Sequence, residues 1–340
     1  MDEITGPRTA GPPDRASVVA AARAYWAAKV LLSAVELGLF KRLGRGPAAG
    51  ADIMRDCGIH PRTGGDFLDA LVGLGYLERE GDVYANAPAT ARFFAEGPDS
   101  LDGLMRLLNS HFPVWAELTG QLRDGGHRAV QSRDFKKFYE YPASVERFMA
   151  MMDAASAEIG PALALAHDWA ARGSFVDLGG ARGNVAASVV RVHPHLQAGV
   201  ADLPAVEDAF GRHMDRLGLT GKVRFHALDF FTDPLPEAEV MVLGHVLHDW
   251  NAEQCVKLLR RVHEALPPGG RVLIYDSMID DERRDPDRLL LSINMKLITP
   301  GGTGYTPGQA RSWLAEAGFA ESAATPLTDS DTLVEGRKAG

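Results

Sequence analysis

The run Phe175-Val-Asp-Leu-Gly-Gly-Ala-Arg-Gly-Asn184 restricts the fold more than any other part of the chain. An apolar stretch carries an acid near its end, passes through Gly179, Gly180 and Gly183, and enters a segment of helical periodicity. A strand that turns tightly into a helix satisfies that order, because glycine supplies positive φ and lets backbone approach a ligand closely. From about Ser174 onward, short β-branched runs alternate with helical ones. The pattern predicts strands at Phe175–Leu178, Ala198–Ala201, Val223–Ala227, Val240–Gly244 and Arg271–Asp276, with helices at Val185–His193, Ala205–Leu217 and Ala252–Leu266. Such alternation builds βαβ units around a parallel sheet. The end of the chain differs. Helix Pro307–Ala317 leads into strands Ala320–Pro326 and Thr332–Gly336, too close for a crossover helix, so these two pair antiparallel.

The glycine turn excludes two common cofactor classes. A dinucleotide fingerprint begun at Gly179 needs glycine where Ala181 and Asn184 stand, and a P-loop needs a Lys followed by Ser or Thr. Asp177, two residues before the first glycine, would repel a pyrophosphate but suits a sulfonium or ammonium. Asp202 ends the next strand, 19 residues after Gly183, where a carboxylate accepts both hydroxyls of a ribose. Asp229 follows the third strand and precedes Phe230 and Phe231, an acid and apolar faces suited to an adenine. Three helix N-caps are the plainer reading of three acids at strand ends. The glycine turn is what favours a cofactor.

The N-terminal half is mainly helical. Apolar stripes run from Val18 to about Leu43. Short helices at Ala49–Cys57 and Pro61–Leu74 are followed by strands Leu77–Glu80 and Val83–Ala85, a winged-helix outline. DNA recognition is disfavoured, because the only cation between Pro61 and Leu77 is Arg62, alongside Asp66 and Asp69. A net charge of −9 points the same way. The large apolar excess between Trp26 and Phe40 fits a subunit interface. Helices are predicted at Leu101–Leu108, Val114–Arg123, Ala143–Ile159 and Gly160–Ala171. In the third, Val145, Phe148, Met149, Met151 and Met152 form either plain core or one wall of a pocket for a flat ligand. With no run of about 18 apolar residues, no readable signal peptide and only Cys57 and Cys255, the chain reads as a cytoplasmic protein.

The three acids and the glycine turn resemble the class I S-adenosylmethionine-dependent methyltransferases. Val242-Leu-Gly-His-Val-Leu-His-Asp-Trp-Asn251 and Leu266-Pro-Pro-Gly-Gly-Arg-Val-Leu-Ile-Tyr-Asp276 narrow the likeness to plant-type small-molecule O-methyltransferases and their bacterial relatives. Asp202-Leu-Pro204, Pro300-Gly-Gly302 and Gly318-Phe319 agree with it. The resemblance implies a Rossmann-like α/β methyltransferase domain, mostly parallel with an antiparallel C-terminal strand, behind a mainly α-helical winged-helix domain. It implies S-adenosylmethionine as cofactor, held by Asp177, Gly179, Gly180, Gly183, Asp202, Leu203, Asp229, Phe230 and Trp250. It makes His248 the general base that deprotonates a small aromatic acceptor, and Asp276 the acid that orients it. Substrate contacts are expected from Phe148, Met152, His245, Asn294, Met295 and Ile298. A metal held by His245 and His248 is the lesser reading, since no third ligand is evident nearby, and no metal is expected. Two departures stand out. Gly304 occupies the place of the plant pattern's second acid, and Gly244 that of a lysine ahead of the His-Asp-Trp sequence.

These readings divide the chain into a dimerisation domain at 1–105, a helical connector at 106–170 and a catalytic domain at 171–340. They imply a homodimer through the N-terminal domain, with no nucleic-acid or membrane partner. Transfer to carbon or nitrogen on the same scaffold, or a relative that binds the cofactor without methylating, remain the alternatives.

Overall fold

The computed structural model describes residues 12–94, 100–126, 145, 149, 152–153 and 157–340, in two units, Met1–Pro113 and Val114–Gly340. In the first unit, helices Gly50–Asp56 and Pro61–Gly73 precede a hairpin of β2 (Leu77–Glu80) and β3 (Val83–Asn86). The short β1 (Ala48–Ala49) adds to β3, giving the order β1-β3-β2. The stripe expected from Val18 to Leu43 is two helices, Arg15–Glu36 and Leu39–Leu43, because Gly38 sits at φ 71 and breaks the helical run. Val35, Leu39, Phe40, Ile53, Leu68 and Leu71 close the core, with the Phe40 and Phe94 rings tilted against each other at 4.7 Å. Helix Arg15–Glu36 is long and apolar enough, by length and composition, to cross a membrane, contrary to the expectation that no segment would be. Its alanines raise the hydropathy although Arg15, Arg23, Lys29 and Glu36 punctuate the run, which is why no continuous apolar stretch is visible.

The second unit is an α/β domain around a seven-stranded sheet. β4 (Ser174–Leu178), β5 (Gln197–Asp202), β6 (Val223–Ala227), β7 (Val240–Gly244) and β8 (Arg271–Asp276) are parallel. β9 (Glu321–Pro326) and β10 (Thr332–Arg337) pair antiparallel with each other, and β10 with β8. The strand order is β6-β5-β4-β7-β8-β10-β9. Phe175, Val176, Leu178, Val200, Val240, Val242, Leu273 and Ile274 are buried, as strands covered by helices on both faces require. Helix Pro286–Ile298 was not anticipated, although Asp285 caps it and Pro286 opens it. The helix expected over Ala143–Ile159 lies mostly outside the described residues. Of it, Val145 and Met149 are buried against Val206 and Ala209.

Candidate active site

Strand order reverses around β4, which has β5 on one side and β7 on the other. Ligands of open α/β sheets bind at that switch point, beyond the carboxyl ends of the strands. Asp177 near the end of β4 and Asp202 at the end of β5 are both buried. The glycines between them are sterically required. Gly179 and Gly183 have φ of 73° and 84°, and a Cβ on Gly180 would lie 2.7 Å from the Asp177 carboxylate. Asp202 also fixes the turn: Oδ2 accepts from the Ala181 amide at 2.9 Å and Oδ1 from the Leu203 amide at 2.7 Å. Burial, and then the charge of Asp202, push the Asp177 carboxyl up to about 7. Burial pushes Asp202 up to about 6 against the two amides that favour its anion. Two desolvated acids beside a glycine cradle fit a ligand with a cationic end and hydroxyls. Asp229 accepts from the Phe231 amide at 2.9 Å, and Phe230, Phe231 and Trp250 pack edge to face, with Phe231 and Trp250 rings 4.6 Å apart. Leu203 and Ala181 both pack against the cluster that contains Val206 and Ala209.

The other half of the site lies at the ends of β7 and β8. His248 sits on a single 3₁₀ turn, Leu247–Asp249, between β7 and helix Ala252–Ala265. A capping box between Asn251 and Gln254 fixes where that helix begins, and so where the turn ends. The glycines of Pro300-Gly-Gly302 have a physical reason. A Cβ on Gly302 would lie 2.5 Å from the His248 carbonyl oxygen, the same oxygen that accepts from the Thr303 amide at 2.9 Å. The His248 backbone is thereby packed against the glycine turn through its carbonyl oxygen.

His248 Nδ1 lies 2.8 Å from Asp276 Oδ1. Tyr305 donates its hydroxyl to Asp276 Oδ2 at 3.0 Å, and the Ser277 amide donates to Oδ1 at 2.9 Å. Burial would raise the Asp276 carboxyl, but the facing imidazoles outweigh it and hold it far below the usual range. Burial lowers the His248 pKa, and the Asp276 carboxylate more than reverses this, so the net shift is upward. These groups line a small cleft together with Arg288, Ser292 and Met295 from one face of helix Pro286–Ile298.

Of the expected substrate contacts, Met295 lines this cleft. Asn294 accepts from Trp115 Nε1 at 2.8 Å, and Ile298 is buried near Val114 and Leu118. Met152 is half-buried, and Phe148 lies outside the described residues. His245 lies beside Asp276 and Asp331, 3.2 Å from each. Asp276 is thus the third group near the two histidines that sequence spacing did not reveal: donor atoms of His245, His248 and Asp276 lie within 4.8 Å of one another. Gly304 has no room for the plant pattern's acid, because a Cβ there would lie 2.8 Å from Ser292 Cβ. Gly244 is equally confined, with the Tyr275 ring 1.8 Å from where its Cβ would be. Arg288, Ser292, Tyr305 and Asp331 were missed. Arg288 and Ser292 were findable from the Asp285-Pro286 helix start, whereas Asp331 depends on strand register.

Residues 115–320 match the O-methyltransferase domain and residues 19–97 the O-methyltransferase dimerisation domain. The chain is 46% identical over 332 residues, 96% of its length and 97% of the relative's, to the tetracenomycin polyketide synthesis 8-O-methyl transferase of Streptomyces glaucescens. It is 42% identical over 302 residues, covering 87% and 88% of the two chains, to an N,N-dimethyltransferase of Streptomyces rimosus. The crystal structure of human N-acetylserotonin methyltransferase in complex with S-adenosylmethionine superimposes with a TM-score of 0.86 at 26% identity, over 98% of this chain and 100% of that one. With its dimerisation and catalytic domains both matched, the chain belongs to the S-adenosylmethionine-dependent O-methyltransferase family.

Proposed function

We propose that this enzyme methylates a hydroxyl of a small aromatic, polyketide-like metabolite, with His248 as general base and Asp276 as its orienting partner. The contact between His248 Nδ1 and Asp276 Oδ1 in the lining of the cleft carries this reading. A carboxylate only accepts, so Nδ1 keeps its proton and Nε2 offers a lone pair. When bound, the cofactor supplies a methyl group already activated on a sulfonium. The residues of the chain then have to align the acceptor and remove its proton. A phenol with pKa near ~10 is a weak nucleophile at neutral pH, and a positioned imidazole contributes roughly 10²–10⁴-fold.

Asp177 is assigned to the cationic end of the cofactor, the remaining lone pairs of Asp202 to the ribose, and Asp229 with Phe230 and Trp250 to the adenine. Leu203 and the glycines at 179, 180 and 183 complete the cradle. Met152, Asn294, Met295 and Ile298 remain assigned to the acceptor side, in a connector and catalytic domain at 106–170 and 171–340. The 8-O-methyl transferase relative supports the acceptor class. A homodimer in the cytoplasm, with neither nucleic acid nor membrane as partner, completes the proposal.

The N,N-dimethyltransferase relative favours a second reading, transfer to an amine. Turnover of S-adenosylmethionine with matched panels of phenols and aryl amines separates the two, and methylation confined to amines rejects the first. His248→Gln fills similar space but takes no proton. It is expected to lower kcat roughly 10²–10⁴-fold with cofactor affinity retained, the loss shrinking as pH nears that of the phenol. An unchanged kcat at pH 7 rejects the base.

A further inference from the structure

The His245 imidazole lies between two carboxylates. Nδ1 is 3.2 Å from Asp276 Oδ1, and Nε2 is 3.2 Å from Asp331 Oδ1. A neutral imidazole would aim its lone pair at one of those oxygens. Neither contact is an aligned hydrogen bond, and Asp331 Oδ1 is buried without a hydrogen-bond partner, so it is the charge of the two carboxylates that favours the imidazolium. Burial opposes the charge, but the two carboxylates outweigh it and push the pKa up to about 10.

The fold builds this clamp from three elements. Sheet register pairs Thr332 of β10 with Asp276 of β8, so Asp331 arrives just past the end of β8. The Asp331 carboxylate is buried and accepts from the Ser330 hydroxyl at 2.5 Å and the Thr328 hydroxyl at 3.2 Å, both on Oδ2, leaving Oδ1 toward His245. His245 has φ 53, unusual for a residue with a side chain, and its amide donates to the Tyr275 carbonyl at 3.0 Å. That backbone turns the ring into the gap. Among the described residues, the other groups facing it are the Tyr275 ring, 5.5 Å away edge on, and the His248 ring at 5.7 Å.

Both imidazoles address one oxygen, Asp276 Oδ1, at 2.8 Å and 3.2 Å. The Asp276 carboxylate raises the His248 pKa, and a ring that holds its extra proton cannot act as a base. A fixed positive charge on its neighbour opposes that protonation. We infer that His245 is a positioning residue, an imidazolium clamped by Asp276 and Asp331 that steadies the Asp276 carboxylate and opposes protonation of His248, leaving that ring able to take the acceptor's proton. The inference rests on the proposed role of His248. Asp331 then gives the site a second carboxylate although Gly304 has no room for one.

Ring ¹⁵N shifts of histidine-labelled full-length protein test the charge directly. One imidazole is expected to stay doubly protonated to about pH 9 and to vanish from the spectrum in His245→Gln; a His245 ring that is neutral at pH 8 overturns the inference. In pH–rate profiles, His245→Gln is expected to move the acid limb of kcat/KM upward by about one pH unit, roughly a tenfold loss below the limb, with cofactor affinity retained and the alkaline plateau largely recovered. An unmoved limb overturns it. Asp331→Asn is expected to let the His245 ring titrate at lower pH. The double variant is expected to move the limb no further than His245→Gln alone, and additive shifts overturn the coupling. Dialysis against EDTA is expected to leave kcat unchanged; a loss that zinc restores overturns the assignment. If His248→Gln turns over like wild type, the base reading fails, while the His245 ring shifts still decide the clamp.

Discussion

A carboxyl buried beside another acid keeps its proton until something cationic arrives, and Asp177 is such a group. Its usual value of 3.8 is raised to about 7. Between those values the folded chain binds a proton that the unfolded chain does not, so ligand-free stability falls as pH rises through the window. Asp202, raised to about 6, acts in the same sense. A cationic ligand needs the charged form, which gives the opposite trend for binding. Affinity for S-adenosylmethionine is therefore expected to rise between about pH 5.5 and 7.5, with protons released on binding near pH 6.5. Calorimetry in buffers of different ionisation enthalpy measures that release, and Asp177→Asn should abolish most of it. Pairing the Asp177→Asn and Asp202→Asn variants separates their shares. Gly304 makes a second residue-level case. A Cβ there would lie 2.8 Å from Ser292 Cβ and 3.0 Å from Ile279 Cδ1, so Gly304→Ala should lower stability by roughly 1–3 kcal/mol in denaturant titration.

At the scale of elements, legibility followed burial and local signals. β7 and β8 stand where the apolar runs place them, because strands covered on both faces are continuous hydrophobic stretches between turns. Helix Pro286–Ile298 was overlooked because Leu289, Leu290 and Leu291 break a clean stripe, although its Asp285 cap and Pro286 were in plain view. Local motifs gave the His248 turn and the Asp276 strand end, but no spacing in the chain brings Asp331 to His245. Only the antiparallel register of β10 against β8 does so. The same reasoning explains why Gly302 is informative only once the His248 carbonyl is seen 2.5 Å from its absent Cβ. The Asn251–Gln254 capping box is the local device that holds the His248 turn against helix Ala252–Ala265. Asn251→Ala should therefore cost about 0.5–2 kcal/mol in thermal or denaturant unfolding. Because the His248 turn ends there, kcat should fall more than KM changes. Full stability in the variant would show that tertiary packing alone sets the helix start.

At the scale of the whole molecule, what has to be explained is the outer face of helix Arg15–Glu36. Val18, Val19, Tyr25 and Trp26 are exposed on it, with Arg23 set over the Trp26 ring at 5.3 Å. The face looks expensive to leave in water, since burying a large apolar side chain contributes about 1.5–3 kcal/mol. A second copy of this chain is the occupant the dimerisation domain implies, and aromatic side chains near the centre of an interface carry a disproportionate share of its energy. Light scattering at micromolar concentration should give about twice the protomer mass of 36.6 kDa. Replacing Tyr25 and Trp26 together by alanine should weaken association by about 3 kcal/mol, roughly a hundredfold in Kd, and make the mass depend on concentration in that range. The substitutions lie on an exposed face, so the fold of each protomer should survive and the melting transition should stay cooperative. A wild-type mass of one protomer would rule out the dimer. A dimer indifferent to both substitutions would move the interface to another face of the chain.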